Sequence, residues 1–397
     1  LFYVFVILRI RFTFIKYIES EIKLMRKLFT SIILFVLCIG VSGFSQACAK
    51  DDEISVEAVG DNLIHPAVYN DARQVDGSYD FKPMYEPLKQ RMSSADISFI
   101  NQESPMGGDD KPFHGFKRFN TPSAVAGDII DTGFNLVNGS NNHALDQGMS
   151  GLYNELSIWD HLKDQATYTG TYRSQKERDH ITVKNVNGTK VALVSYTYGT
   201  NVIHPDHQYN INRFDKKLIK KDIAQAKKVS DVVMVSAHWG KEGTHKVTDK
   251  QKDYAHYIAD QGADVIIGTH PHVIQPMQWM KGKDGNKTLV AYSLGNFLNG
   301  QATGDENNIL GGNLHFDLDK NAKTKVKNVK WRAVVTHYEP QNAKTHKGKA
   351  HFKMIPLEDY KEKLAKKHRL NYKKGSHVSV DRLNDINNDT IDEKFRK

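Results

Sequence analysis

Cysteine is almost missing from this sequence. The 397-residue chain has two, Cys38 and Cys48, and both precede residue 50. The body therefore has no disulfide framework and no thiolate zinc site. A basic excess is missing from the body as well. The net charge is +9, but residues 1–49 carry six Lys/Arg against two Asp/Glu, and residues 341–397 carry 15 against 8. Residues 50–340 are left at a net −2. The positive charge sits at the two ends, as on solvated tails, and no nucleic-acid partner is expected. What remains is an ordinary balance, 39% apolar and 25% charged, in a chain long enough for one large or two smaller α/β domains.

Long apolar runs are scarce as well, and the longest is short for a spanning helix. From Met25, "MRKLFTSIILFVLCIGVSGFSQACAKDD" runs from a basic start through an apolar stretch at 28–44 to small residues. This is the layout of a secretory signal, and the apolar stretch falls short of the roughly 20 residues of a spanning helix. Three fates are open for residues 25–49: cleavage after Ala47-Cys48-Ala49, lipidation of Cys48, or an uncleaved anchor. Lipidation is the poorest fit, because Ser45 stands where a branched apolar residue is expected. Each fate places residues 50–397 outside the cytoplasmic membrane, associated with it or secreted. Residues 1–24 precede the methionine and read either as an upstream extension or, through "LFYVFVILRIRF", as a second membrane-seeking segment, and are excluded from fold reasoning.

From residue 54 short β-branched runs recur: "ISVEAVG", "ADISFIN", "FNLVNGS", "KVALVSYTY", "DVVMVSAHW", "DVIIG" and "TLVAYSLGNF". Helical spacing is found at 85–95, 150–165 and 249–262 between them. Alternating strands and helices predict an α/β fold. Residues 311–356 read as a late β-hairpin, and 357–397 as a basic, partly disordered tail.

The runs end on polar groups that can bind or carry protons. Asp61 closes the first, Glu103 the second, and Asn142 with His143 the third. His238 closes the fifth, and His270 and His272 the sixth, in "GTHPHVIQP". In open α/β sheets, ligands bind at the carboxyl edge of parallel strands. Shared strand direction would bring these groups to one edge of the sheet. A mixed carboxylate, amide and imidazole set without thiolate suits manganese, iron or zinc better than calcium. Six donors exceed one four-coordinate zinc site and would serve two ions if a carboxylate bridges. His143, beside Asn142, would then face the substrate as a proton donor or as a cation stabilising developing charge.

The motifs "GDNLIH", "NQES", "SNNHALDQG", "HWGKE", "GADVIIGTHPHVIQ" and "YSLGNF", in this order over roughly 54–300, resemble the CapA family of poly-γ-glutamate capsule-synthesis proteins. The domain of that family is similar to the calcineurin-like metallophosphoesterases. The resemblance implies a four-layer α/β/β/α sandwich over residues 50–310, with one or two divalent ions at the rim of two sheets. It implies Asp61 and Glu103 as metal carboxylates, Glu103 bridging, with Asn142, His238 and His270 on the second ion and His272 on the first. His143 is implied as catalytic, with Asp146 orienting it. Leu63 stands where those phosphoesterases carry the histidine of D-x-H, with His65 the nearest substitute.

The function so implied is work in capsular poly-γ-glutamate biosynthesis or export, beside membrane-bound synthase components and an anionic polymer. Two alternatives stand beside it. One is a metal-dependent phosphoesterase outside the cytoplasm and unrelated to capsule, and the other a non-catalytic scaffold of a cell-envelope complex.

Overall fold

The computed structural model describes residues 53–302 and 304–396, together with positions 18, 21–23, 25 and 26. The apolar stretch 28–44 and both cysteines lie outside the described residues. The chain divides into two units, Leu1–Asp51 and Asp52–Lys397, and the second carries the fold. No helix among the described residues is long and apolar enough to cross a membrane.

The larger unit is built on two sheets. The first contains β1 (Glu53–Leu63), β2 (Ile97–Gln102), β3 (Leu136–Asn138), β4 (Thr167–Thr169), β11 (Asn296–Asn299), β12 (Leu310–Asp319), β13 (Val326–Glu339) and β14 (Ala350–Pro356). Its order is β14-β13-β12-β1-β2-β3-β4, with β11 also paired to β1. The second contains β5 (Thr182–Val186), β6 (Thr189–Thr197), β7 (Val232–His238), β8 (Val265–Thr269), β9 (Ile274–Lys281) and β10 (Lys287–Leu294), in the order β5-β6-β7-β8-β10-β9. In both sheets the central strands run parallel, β1 through β4 and β6 through β8 with β10. Their carboxyl ends therefore emerge together.

Alternation along the second sheet separates two cores. Val191, Leu193, Val232, Met234, Val265, Ile267, Leu289 and Ala291 join the core that also holds Ile54, Val56 and Ala58 of β1. The residues between them, Ala192, Val194, Val233, Val235, Ile266 and Val290, pack under two helices, Lys216–Val229 and Asp249–Gln261. This period of two is what a strand covered on both faces requires. Helices Lys82–Ser94 and Ala124–Thr132 bring Met84, Tyr85, Leu88, Val125 and Ile129 into the first core. The architecture is a mixed α/β one, two face-to-face sheets with helices outside.

Local chemistry sets the helix limits. Thr248 caps Asp249–Gln261 through a reciprocal pair with Gln251, and Gly262 ends it in the left-handed region. Asp215 caps Lys216–Val229 by accepting the Leu218 amide.

Two expectations are corrected here. The polar strand ends do not share one sheet. Asp61, Glu103 and Asn142 follow strands of the first sheet, whereas His238, His270 and His272 follow strands of the second. The segment after residue 356 is also folded. Helix Val380–Thr390 buries Leu383 and Ile386, and Glu393–Arg396 buries Phe395. Lys361, Lys363, Lys366, Lys367, Lys374 and Lys394 are exposed, while neighbouring apolar residues reach the core, so charge density concealed the packing.

Candidate metal centre

The two sheets meet at Gly60 and Gly295. A Cβ on Gly60 would lie 1.9 Å from the Gly295 carbonyl oxygen, and the Asp61 amide donates to that same oxygen at 3.0 Å. Glycine is required here by close approach. This contact places Asp61 under the β8 end. The buried carboxylate accepts the Asn101 side-chain amide at 2.8 Å and the His270 backbone amide at 3.1 Å. Asn138 donates in turn to Asn101 at 2.8 Å. A row of hydrogen bonds thus crosses the ends of β1, β2 and β3.

His270 and His272 bracket Pro271, and both have backbones in the left-handed region, at φ 96° and φ 57°. Such conformations cost on the order of 1–3 kcal/mol each and persist only where surroundings enforce them. The enforcement is visible. Gly243 donates to the Pro271 carbonyl at 2.9 Å, and the side chains of Asn296 and Asn308 each donate to the His272 carbonyl at 3.2 Å.

The donors converge as three overlapping triads. Within each of Asp61/Glu103/His272, Glu103/His238/His270 and Glu242/His270/His272, one ligating atom per residue lies within 4.8 Å of the others. Glu103 belongs to two triads, as do His270 and His272. Asn142 joins through its carbonyl, 2.8 Å from His238 Nε2, while His238 Nδ1 meets the Thr269 hydroxyl at 2.9 Å. All six residues read from the sequence as ligands thus gather at one rim. Glu242 was missed, although it lies in the quoted "HWGKE" motif.

Electrostatics separate these groups from structural ion pairs. Glu103 is fully buried, and neither carboxylate oxygen has a hydrogen-bond partner among the described residues. Burial, then the charges of Asp61 and Glu242, push its pKa well above the carboxylate range. Burial holds His238 and His270 well below the usual imidazole value, so both are neutral donors. Nδ1 of His270 is buried and also without a partner. Burial works against protonating His272, but its bond to Asp61 at 3.1 Å outweighs this and raises it. Unpaired buried carboxylate oxygens facing neutral imidazoles are costly unless a cation sits between them. The set fits a divalent metal ion.

His143 stands beside the triads without joining them. Its Nδ1 lies 2.7 Å from Asp146 Oδ2, which also accepts the Phe119 amide at 2.8 Å. The Phe119 ring meets His143 edge-on at 4.8 Å and His65 at 5.1 Å. His143, His272, Glu242, His65 and Lys349 line one cavity of about 600 Å³. His65 does not join a triad. Its Nδ1 is occupied by the Leu63 carbonyl at 2.9 Å and the Gly300 amide at 3.2 Å, and burial takes its pKa down to about 3.

The family model described as bacterial capsule synthesis protein PGA_cap matches residues 55–301. The PGA biosynthesis protein CapA of Bacillus subtilis (strain 168) is 29% identical over 258 residues, covering 63% of this chain and 64% of that one. The capsule biosynthesis protein CapA of Bacillus anthracis is 27% identical over 263 residues, covering 63% of this chain and 60% of that one. The match thus spans less than two thirds of the length of these relatives. Among solved structures, a 5'-nucleotidase precursor from Thermus thermophilus aligns with TM-score 0.47 and 16% identity, covering 71% of this chain and 54% of that one.

Proposed function

The chain belongs to the PGA_cap family of bacterial capsule synthesis proteins, and on that premise we propose that it is an exported, metal-dependent component of capsular poly-γ-glutamate biosynthesis or export. The observation that carries the metal dependence is Glu103, fully buried with no hydrogen bond to either oxygen among the described residues, its Oε1 3.6 Å from His238 Nε2 and 3.7 Å from His272 Nε2. A purely structural rim would pair or replace that carboxylate. The signal-like layout of residues 25–49 supports export. On this reading the partners are membrane-bound synthase components and an anionic polymer, which the basic C-terminal segment suits.

A bound divalent ion supplies Lewis acidity and a more acidic water. Asp61, Glu103, Asn142, His238, His270 and His272 would hold it. His143 handles the proton. With Nδ1 committed to Asp146, Nε2 is the nitrogen left to exchange a proton within the cavity. In a hydrolysis, a water oxygen bonds to the reacting centre and the ester bond breaks. The departing oxygen then takes a proton from His143 while the water releases one to solvent. Asp146 fixes the orientation and tautomer of the imidazole.

The test is complementation of a strain lacking the gene. Wild type should restore polymer, whereas Glu103→Gln should not, and full restoration by Glu103→Gln ends the metal-dependent reading. The His143–Asp146 pair favours one further reading, a phosphoesterase independent of capsule. Turnover of an aryl phosphate by the manganese-loaded protein, lost in His143→Ala with metal content retained, would support it.

A further inference from the structure

The two ion places are unequally furnished. Around Glu103, His238 and His270, Asn142 supplies a fourth donor. Around Asp61, Glu103 and His272 only three are present. Leu63, two residues past Asp61, is buried and apolar, and His65 is turned to backbone partners. One further carboxylate, Glu242, is grouped with the histidines of the centre.

We propose that Glu242 is the fourth donor there, closing the outer side of the centre as a ligand to the ion held by Asp61, Glu103 and His272. The inference rests on the metal-centre reading and extends it to a residue on an exposed turn. A Glu242 oxygen lies within 4.8 Å of ligating nitrogens of both His270 and His272. The turn carrying it is tied to the segment that carries those histidines. Trp239 donates to the Thr269 carbonyl at 3.1 Å, and Gly243 to the Pro271 carbonyl at 2.9 Å. Gly240 and Gly243 adopt φ 95° and φ 70°, a left-handed pair that folds the turn back over the site.

Nothing else claims this carboxylate. Among the described residues Glu242 has no ion pair with a lysine or arginine and no hydrogen-bonded side-chain partner, although Lys241 is its neighbour in sequence. With Glu242 included, each ion has four protein donors, Glu103 serving both. Three carboxylates then face two divalent ions, leaving net positive charge for an anionic substrate. Glu242 is also the one exposed member of a set otherwise buried. That position makes it the member nearest solvent, and the ion it holds the more readily exchanged.

The experiment is Mn²⁺ titration of the purified full chain by calorimetry, with elemental analysis after dialysis. Wild type, Glu242→Gln and the neighbouring control Lys241→Gln are compared, and each is also melted in EDTA. Wild type should take two ions. Glu242→Gln should weaken one of them by about tenfold or more, leave the other unchanged, and melt with wild type in EDTA. Lys241→Gln should match wild type throughout. Unchanged affinities in Glu242→Gln overturn the proposal while leaving the centre intact. A lower melting temperature for Glu242→Gln in EDTA makes its role structural and overturns the proposal too. A wild type that binds no Mn²⁺ removes both this inference and the centre it extends.

Discussion

The carboxylate of Asp61 accepts the backbone amide of His270 at 3.1 Å, across 209 residues of sequence. This bond joins the first sheet to the second where their donors meet, and it aims an acid at another buried acid, Glu103. In the absence of a cation, burial and the repulsion between the two push the Glu103 pKa well above the carboxylate range. Asp61→Asn removes the charge and keeps one oxygen, but it turns an NH2 toward one of the two donors, Asn101 Nδ2 or the His270 amide. The variant is therefore expected to melt in EDTA below wild type, and to lose the rise in melting temperature that Mn²⁺ gives wild type. Differential scanning calorimetry with and without metal checks both. A metal-induced rise equal to wild type would remove Asp61 from the ligand set.

Two glycines test whether sheet contact or backbone freedom governs the rim. A Cβ at Gly60 would strike the Gly295 carbonyl at 1.9 Å, whereas one at Gly127, inside helix Ala124–Thr132, would meet nothing within 4 Å. Gly60→Ala should cost roughly 3 kcal/mol or more, because the clash is with backbone that cannot rotate away. Gly127→Ala should stabilise by roughly 0.5–1 kcal/mol through helix propensity and a less flexible unfolded chain. Urea unfolding of the two variants reads both, and equal effects would contradict the close approach.

The same contact explains what was legible in the sequence. Asp61, Glu103, Asn142, His238, His270 and His272 could be found because each follows an apolar β-branched run, where a polar residue needs a reason. The partition into two sheets was not legible from those runs, because strand pairing is set by contacts between distant segments. Glu242 escaped because it lies on a turn, four residues past the end of β7, where an exposed glutamate is unremarkable. The helix Lys216–Val229 escaped for a different reason. Its buried Ile219, Ile223 and Ala226 keep helical spacing, but six lysines among fourteen residues make the segment read as solvated charge.

Glu155 offers a pH test away from the metal centre. The side chain is buried in helix Gly148–His161, and the Trp159 indole donates to it at 3.5 Å. Burial raises its pKa from 4.5 to about 8. The folded state thus holds a proton that the unfolded chain releases. This contribution is complete below about pH 4.5 and is lost as pH rises through about 8. Glu155→Gln removes the titration while keeping a polar group of the same shape. Relative to wild type, it should gain on the order of 4 kcal/mol between about pH 5 and pH 9. Denaturant midpoints measured across that range decide the matter, and parallel profiles would place the Glu155 carboxyl in a wetter setting.

Asn296, in the quoted "YSLGNF", holds the strained histidine segment from below. Its Oδ1 lies 3.1 Å from His272 Nδ1, and its Nδ2 donates to the His272 carbonyl at 3.2 Å and the Asn308 carbonyl at 2.9 Å. One amide therefore sets both the ring and the backbone of a ligand held at φ 57°. Removing it takes one of two side-chain donors from each carbonyl, leaving Asn308 on His272 and Asn299 on Asn308, and lets the backbone relax from a conformation it does not favour. Asn296→Ala should lower Mn²⁺ affinity about 10–100-fold, the range for partners that orient a ligand without touching the ion. It should also cost about 1–3 kcal/mol without metal. Asn296→Asp is the sharper variant. It keeps an oxygen for the His272 ring but loses the donor to the carbonyl, so metal affinity should fall less than in Asn296→Ala if ring orientation dominates. Equal losses in the two variants would assign the effect to the backbone, and the left-handed geometry of His272 would then be what Asn296 secures.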